Sequence, residues 1–290
     1  MPRIALVTFD PSPEPSPDRD LPVLLAALRE TGAEAEAVFW DDADADWAGY
    51  DLAVIRSTWD YSRRAAEYQA WAERCGKATR LANPAEVVRW NTDKRYIGDL
   101  AAAGVPVIPT HYLAPGDAPD LPDDHEYVVK PTSGAGSRYA ARYAPEDRDR
   151  ALGHLARMHE EGLTAMVQPY MRGIDTAGER ALLFIGGTLL HASRKRAVLA
   201  PGTAYDDART AHPGLEPWTA TPAERAVAER ALAAVPQSPE LLYARVDLVD
   251  GDDGEPVVME LELVEPNFFL FLHPDSVPVV RDAILAAARR

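Results

Sequence analysis

Residues 257–267 read VVMELELVEPN, a mostly apolar strand that carries Glu260, Glu262 and Glu265. The strand before it, YARVDLV (243–249), carries Arg245 and Asp247, and the intervening DGDDGE is strong turn chemistry. A turn centred there sets Asp247 opposite Val258 and Arg245 opposite Glu260. Because side chains alternate along a strand, Arg245, Asp247, Glu260 and Glu262 share one face, while Val246, Leu248, Met259 and Leu261 share the other. A solvated sheet face would alternate in the same way. Like charges ~5 Å apart are unfavourable, however, unless a cation or a proton relieves them. An oxygen-only set suits Mg²⁺, Ca²⁺ or Mn²⁺ rather than zinc. Mg²⁺ in particular takes one or two carboxylates and completes its shell with water and phosphate.

A phosphate partner is suggested by EYVVKPTSGAGSRYA (126–140). Lys130 ends an apolar strand at its polar rim, and the loop Ser133, Gly134, Ala135, Gly136, Ser137 follows at once. Glycines let backbone N–H groups approach phosphate oxygens, and serine adds a hydroxyl. The loop is not a Walker A motif, since the one Gly-Lys pair, Gly76-Lys77, precedes Ala78; Tyr139 stands where a dinucleotide fingerprint needs its third glycine. A plain hairpin loop would look similar. Upstream, NTDKRY (91–96) places Asn91 just before a helix and Lys94 in its first turn. Downstream, VQPYM (167–171) is a strand running into an irregular segment, so Gln168 and the backbone of Tyr170 and Met171 are placed to meet an adenine edge.

The elements that must carry these residues follow from periodicity. Strand 3–9, helix Leu21–Glu30, strands 35–40 and 50–58 and a helix over 63–77 alternate as in a parallel sheet with crossovers. A helix from about Asp93 to Ala103, strand 126–131, a helix over 146–162 and strand 165–170 come next. RALLFIGGTLLHASRK (180–195) reads as a hairpin turning at Gly186-Gly187. A helix over 222–235, the carboxylate hairpin and an amphipathic C-terminal helix complete the chain. The fold class is thus α/β and α+β, divided as 1–82, 83–165 and 166–290.

Composition narrows the partners. A formal net charge of −16 over 290 residues, with no basic run, argues against nucleic acid. The N-terminus lacks a signal-peptide pattern, and no apolar run approaches the ~18 residues of a membrane helix. The single cysteine, Cys75, suits a reducing cytoplasm and reads as a helix-packing thiol.

In this order the motifs resemble the ATP-grasp superfamily, over nearly the whole chain. The resemblance implies an ATP-grasp fold behind an N-terminal Rossmann-like, pre-ATP-grasp domain: 1–82 on the substrate side, 83–165 a central lid subdomain, 166–290 a C-terminal subdomain with the metal site. It implies Mg-ATP, with Mn²⁺ as an alternative ion, and a carboxylate activated as an acyl phosphate. Arg245, Asp247 and Glu260 match the family's Arg, Asp and first Glu. Glu262 stands where Asn is frequent, which leaves open whether Glu262, Glu265 or Asn267 completes the shell. Lys94 and Lys130 match the phosphate lysines, 133–137 the glycine-rich lid, and Gln168, Tyr170 and Met171 the adenine hinge. Glu179 matches the ribose or metal side; Arg180 and Lys195 would face the γ-phosphate or acyl phosphate.

RSTWDY (56–61), RLANP (80–84), VVRWNTDKRY (87–96) and ELELVEP (260–266) further resemble the small-molecule branch that contains O-ureido-D-serine cyclo-ligase. That implies an amino-acid substrate, O-ureido-D-serine closed to D-cycloserine with loss of CO₂ and ammonia. The loop at 56–61 follows a parallel strand, at the end where open α/β sheets bind ligands. Arg56 suits a carboxylate, and Thr58 and Asp60 an ammonium or ureido group; Glu265 and Asn267 join the substrate side. Trp59 and Tyr61 would alternatively anchor that loop to the core. An intermolecular carboxylate–amine ligase and a non-catalytic Mg-nucleotide sensor are the rival readings, and superfamily relatives are often homodimers.

Overall fold

The computed structural model describes residues 1–10, 18–134, 139–199 and 214–290. The N-terminal part contains β1 (Arg3–Thr8), α1 (Leu21–Glu30), β2 (Glu34–Phe39), β3 (Leu52–Ser57), α2 (Ala65–Ala78) and β4 (Leu81–Ala82). Its strands pair in parallel in the order β2-β1-β3-β4. Alternate residues of β1 and β3 feed two cores: Ile4, Leu6, Leu52 and Val54 on one face, Ala5, Val7, Ala53 and Ile55 on the other. Such two-sided burial is what a parallel sheet requires, and it explains the near-continuous apolar runs. Cys75 is wholly buried among α2 and the second core, and burial pushes its thiol up to about 12. It packs, as expected, and is no nucleophile.

Next come α3 (Ala85–Asn91), α4 (Tyr96–Ala102), β5 (His111–Leu113), β6 (Tyr127–Pro131), β7 (Ala141–Tyr143), α5 (Arg148–Glu160) and β8 (Ala165–Pro169). The four strands form a middle sheet in the order β5-β8-β6-β7. Tyr127, Val129 and Val167 on one face meet Ala151, Leu155 and Met158 of α5. The opposite face carries Lys130, Val128 and Gln168.

The last third holds α6 (Ile174–Ala177), β9 (Glu179–Ile185), β10 (Thr188–Lys195), β11 (Leu215–Trp218), α7 (Pro222–Ala233), β12 (Tyr243–Asp250), β13 (Pro256–Glu262) and α8 (Val277–Ala288). Its five strands pair antiparallel in the order β11-β10-β9-β12-β13. Gly186 and Gly187 form the two-residue turn between β9 and β10 at φ +56° and +78°, a conformation that costs other residues dearly. The expected boundary at 165/166 falls inside β8, whose hydrogen bonds belong to the middle sheet. Residues 85–105 pack on the large sheet instead: Val87, Tyr96, Ile97 and Leu100 share a core with Leu182, Phe184, Val246 and Leu248.

Two further corrections concern register. Asp247 faces Glu260 and Arg245 faces Glu262, two residues from the expected alignment: Leu248↔Val258 is already one residue along, and a bulge at Met259 adds the second. The four charged residues still share one face, but Met259 leaves the core face and joins Ile108, Met171 and Val249. Asn91 ends α3 rather than preceding a helix, and Lys94 sits in the turn between α3 and α4.

That turn is fixed by the open edge of β13. Asn91 donates to Leu261 O (2.8 Å) and accepts from Leu263 N (2.8 Å), and the Tyr96 hydroxyl accepts from Leu261 N (2.9 Å). Further along, Ile108 N donates to Val258 O and Val258 N to Pro106 O. Side chains and a loop thus satisfy an edge that would otherwise be bare. In doing so they bring Lys94 beside Glu260.

Candidate active site

Asp247 lies 1% exposed at the centre of the large sheet's open face. Arg245 grips it bidentately, Nε to Oδ1 and Nη2 to Oδ2 at 2.9 Å each, and also pairs with Glu262. From the far side of β9, Lys195 Nζ reaches Asp247 Oδ2 at 2.6 Å and Glu179. Burial works to raise Asp247, but Arg245 and Lys195 outweigh it and hold the carboxyl well below the usual range. Burial raises Glu262 and Glu179, whose partners are shared. Lys94 Nζ lies 3.2 Å from Glu260 and donates to Gly134 O at 2.6 Å. Burial favours neutral Glu260, yet Lys94 and Lys130 keep it ionised.

Lys130 has no hydrogen-bonding partner for its ammonium among the described residues. Burial lowers its affinity for a proton, and Lys94 and Lys195 lower it further against the pull of Glu260 and Glu179. An under-compensated lysine flanked by two others is an electrostatic trap for an anion such as phosphate. Ser133 Oγ, at the start of the glycine-rich stretch, is buried with no partner among the described residues. Ala135, Gly136 and Ser137 lie outside the described residues.

Of the hinge residues, Gln168 donates to Thr110 Oγ1 (2.9 Å) and the Tyr170 amide to Glu126 O (2.8 Å), so neither of these donors faces an adenine edge. Arg142 stacks over the Tyr170 ring at 3.4 Å and pairs with Glu126 at 2.9 Å. Met171 lines the apolar patch with Ile108 and Val249.

Arg180 does not face the cleft. Strand alternation turns it away from Glu179, to the helix-covered face, where Nε binds Glu224 at 2.8 Å, Nη1 donates to Gly178 O at 2.9 Å, and Nη2 meets Asp250. Thr58 and Asp60 are also turned inward: Thr58 bonds the Tyr68 hydroxyl (2.8 Å) and Asp60 accepts from Trp40 Nε1 (2.9 Å). Arg56 is 1% exposed, stacks on Phe268 at 3.6 Å and donates to Pro266 O at 3.1 Å; its Nε and Nη1 have no partner. It holds the 266–268 turn rather than presenting an open fork. The aromatic neighbours do the anchoring, Trp59 Nε1 to Glu265 O at 3.2 Å and Tyr61 to the Glu265 carboxyl. Burial pushes Glu265 up to about 7 against Lys94 and Tyr61. Asn267 contributes its carbonyl to Arg245 Nη1 (3.1 Å).

Sequence reasoning missed Asp20. Its carboxylate, 1% exposed, accepts the amides of Phe268, Phe269 and Leu270 at 2.8–2.9 Å. An acidic residue before Leu-Pro reads only as a helix start, and a partner 250 residues away leaves no local signal. Ser193, His191 and His273, gathered beside Lys195, were missed for the same reason.

Residues 4–83 match the family described as the N-terminal domain of D-cycloserine synthetase DcsG. Across 276 residues, 89% of this chain and 90% of the relative, the sequence is 41% identical to the cycloserine biosynthesis protein DcsG of Streptomyces lavendulae. The crystal structure of D-cycloserine synthetase DcsG superposes with a TM-score of 0.87 at 38% identity, covering 99% of either chain. A D-alanine–D-alanine ligase from Bacillus anthracis has the same fold, with a TM-score of 0.70 at 18% identity, covering 100% of this chain and 98% of that one. Lysines of the α3–α4 turn, the middle sheet and the large sheet converging on the large sheet's carboxylates, and likeness on this scale, place the chain in the D-cycloserine synthetase family, as an ATP-dependent ligase of ATP-grasp fold.

Proposed function

We propose that the chain activates the carboxylate of a small amino acid as an acyl phosphate and closes it onto a nitrogen of the same molecule. O-ureido-D-serine would become D-cycloserine, with ADP, phosphate, CO₂ and ammonia released. The likeness to D-cycloserine synthetase supports the substrate, and one observation carries the chemistry. Lys130, without a hydrogen-bonding partner among the described residues, shares Glu260 with Lys94 and Glu179 with Lys195, and Lys195 with Arg245 holds Asp247.

In this reading Lys94 and Lys130 bind the nucleotide's phosphates, with Ser133, Gly134 and the loop through 137 above them. Met171 and its apolar neighbours border the adenine, and Glu179 lies nearby. Asp247 and Glu260, directly opposed on one face, offer an oxygen-only set that fits Mg²⁺ or Mn²⁺; Glu262 adds the oxygen that Arg245 leaves free. Among the described residues no group of three or more His, Cys, Asp or Glu is placed to hold a metal ion by itself, so water and phosphate would have to supply most of the shell. When bound, such an ion neutralises charge building on the transferred phosphoryl group. Lys195 and Arg245 stabilise the carboxyl phosphate, and no side-chain nucleophile is required. The substrate side is formed by Glu265, Asn267 and the turn that Arg56 supports. Among the described residues no helix is long and apolar enough to cross a membrane, and we place the reaction in the cytoplasm, where ATP is at hand.

The test is ADP release with O-ureido-D-serine and its L isomer, in wild type and in Lys130→Ala and Asp247→Asn. Wild type is expected to turn over the D isomer with no second amino acid. Each variant should lose activity on the order of 10²–10³-fold while remaining folded. Full activity in both variants would discard the site, and dependence on a second amine would replace ring closure by intermolecular ligation.

A further inference from the structure

Beside the phosphate cleft lies a cluster that the mechanism above does not use. Ser193 and His191 precede Lys195 on the same face of β10. Ser193 Oγ is 2.9 Å from His273 Nε2. His191 and His273 stack with ring centroids 3.9 Å apart and planes 12° apart. His191 Nε2 donates to Phe268 O (2.8 Å), so its Nδ1 must accept from the Ser276 hydroxyl (2.7 Å). This fixes one neutral tautomer of His191; both rings are half-buried. His273 Nδ1 has no protein partner among the described residues.

The ladder sets the spacing between Ser193 and Asp247. In register, Ser193 pairs with Ala181, and Ala181 with Asp247. Ser193 and Asp247 are therefore two strand spacings apart, about 10 Å. That is the span of a small amino acid. At one end stand Asp247, Arg245 and Lys195; at the other stands the Ser193–His273 pair. The turn between them, 267–269, touches both, since Asn267 O accepts from Arg245 and Phe268 O from His191.

We propose that His273 is the base that takes the proton from the substrate's attacking nitrogen. This rests on the reading of the chain as a cyclising ligase. With the ring proton on Nε2, donated to Ser193 Oγ, Nδ1 keeps its lone pair. The nitrogen–carbon bond forms as the carbon–oxygen bond to phosphate breaks. Phosphate leaves with that electron pair, and the nitrogen's proton passes to Nδ1 and then to solvent. The titratable neighbours are His191 and Lys195 on β10, Arg245 across β9, and Asp275 two residues along. Burial lowers the proton affinity of His273 and holds that of His191 at about 4, so both rings are neutral near pH 7 and His273 is ready to accept.

The experiment compares wild type with His273→Gln and His273→Asn, using O-ureido-D-serine, Mg-ATP and hydroxylamine to trap acyl phosphate as hydroxamate. Hydroxamate formation should persist in the variants, while ring closure falls on the order of 10²–10⁴-fold and the acid limb of the kcat profile disappears. An unchanged kcat and pH profile would overturn the proposal, and so would parallel loss of hydroxamate and ring closure. If neither variant folds, nitrogen NMR of wild-type His273 decides: an Nε2–H tautomer supports the role and an Nδ1–H tautomer refutes it. Wild type that makes no hydroxamate at all would instead overturn the ligase reading, and this proposal with it.

Discussion

Glu179 and Arg180 are neighbours in sequence and opposites in environment. Glu179 meets Lys195 in the cleft, while Arg180 is sealed between Glu224 and Asp250 on the far face. Strand alternation sets the two on opposite faces, a consequence that the resemblance, which placed both around the nucleotide, passed over. Which of the two faces inward was not legible in the sequence, because both faces of β9 are buried. If Arg180 is structural, Glu224→Ala strands a guanidinium with one carboxylate and removes the side chain that caps α7 through Thr221 N (2.7 Å). Urea denaturation should show a loss of about 3–5 kcal/mol. ADP release per folded molecule should hold. A variant of full stability and lost turnover would return Arg180 to the chemistry.

At the scale of elements, strands and helices followed from apolar periodicity, and the α1 bounds and the Gly186-Gly187 turn follow residue for residue. What periodicity could not give was the bulge at Met259, since an extra residue changes register without changing composition. Nor could it show that α3 ends in a side chain that acts as a strand. Asn91 satisfies the Leu261 carbonyl of β13 and the Leu263 amide just past its end, and the Lys94 turn follows three residues later. Asn91→Leu keeps the volume and leaves both groups buried and unpaired. The expected cost is about 2–6 kcal/mol, at 1–3 for each group. Because Lys94 loses its footing beside Glu260, KM for ATP should rise more than kcat falls. Steady-state kinetics at fixed amino acid check this; an unchanged KM would mean that Lys94 is held by Gly134 O alone.

Across the whole molecule, the two sides of the proposed cleft are built by different partners. The lysines assigned to phosphate in this proposal come from the α3–α4 turn and the middle sheet. The substrate turn at 265–273 is held from the N-terminal domain, by Asp20 on three amides, by Arg56 on Pro266 O and by Trp59 on Glu265 O. The same turn passes Asn267 O to Arg245 and carries His273. In the proposed reading, domain docking bears chiefly on the acid's pocket, and among the described residues its one side-chain hydrogen bond to the Lys94 turn is Gln69 Nε2 to Thr92 Oγ1 at 2.8 Å. Asp20→Ala separates the two sides. Three amides lose their acceptor, which weakens the docked turn by several kcal/mol at roughly 1–3 each. Titration calorimetry should find Mg-ATP bound nearly as in wild type, while turnover of the amino acid drops at least tenfold through misplacement of a turn that positions reacting groups. Asp20→Asn, which keeps an accepting oxygen, should recover part of the loss. If ATP affinity fell in step with turnover, the two halves of the cleft would be one mechanical unit, and the division of labour argued from these contacts would be wrong.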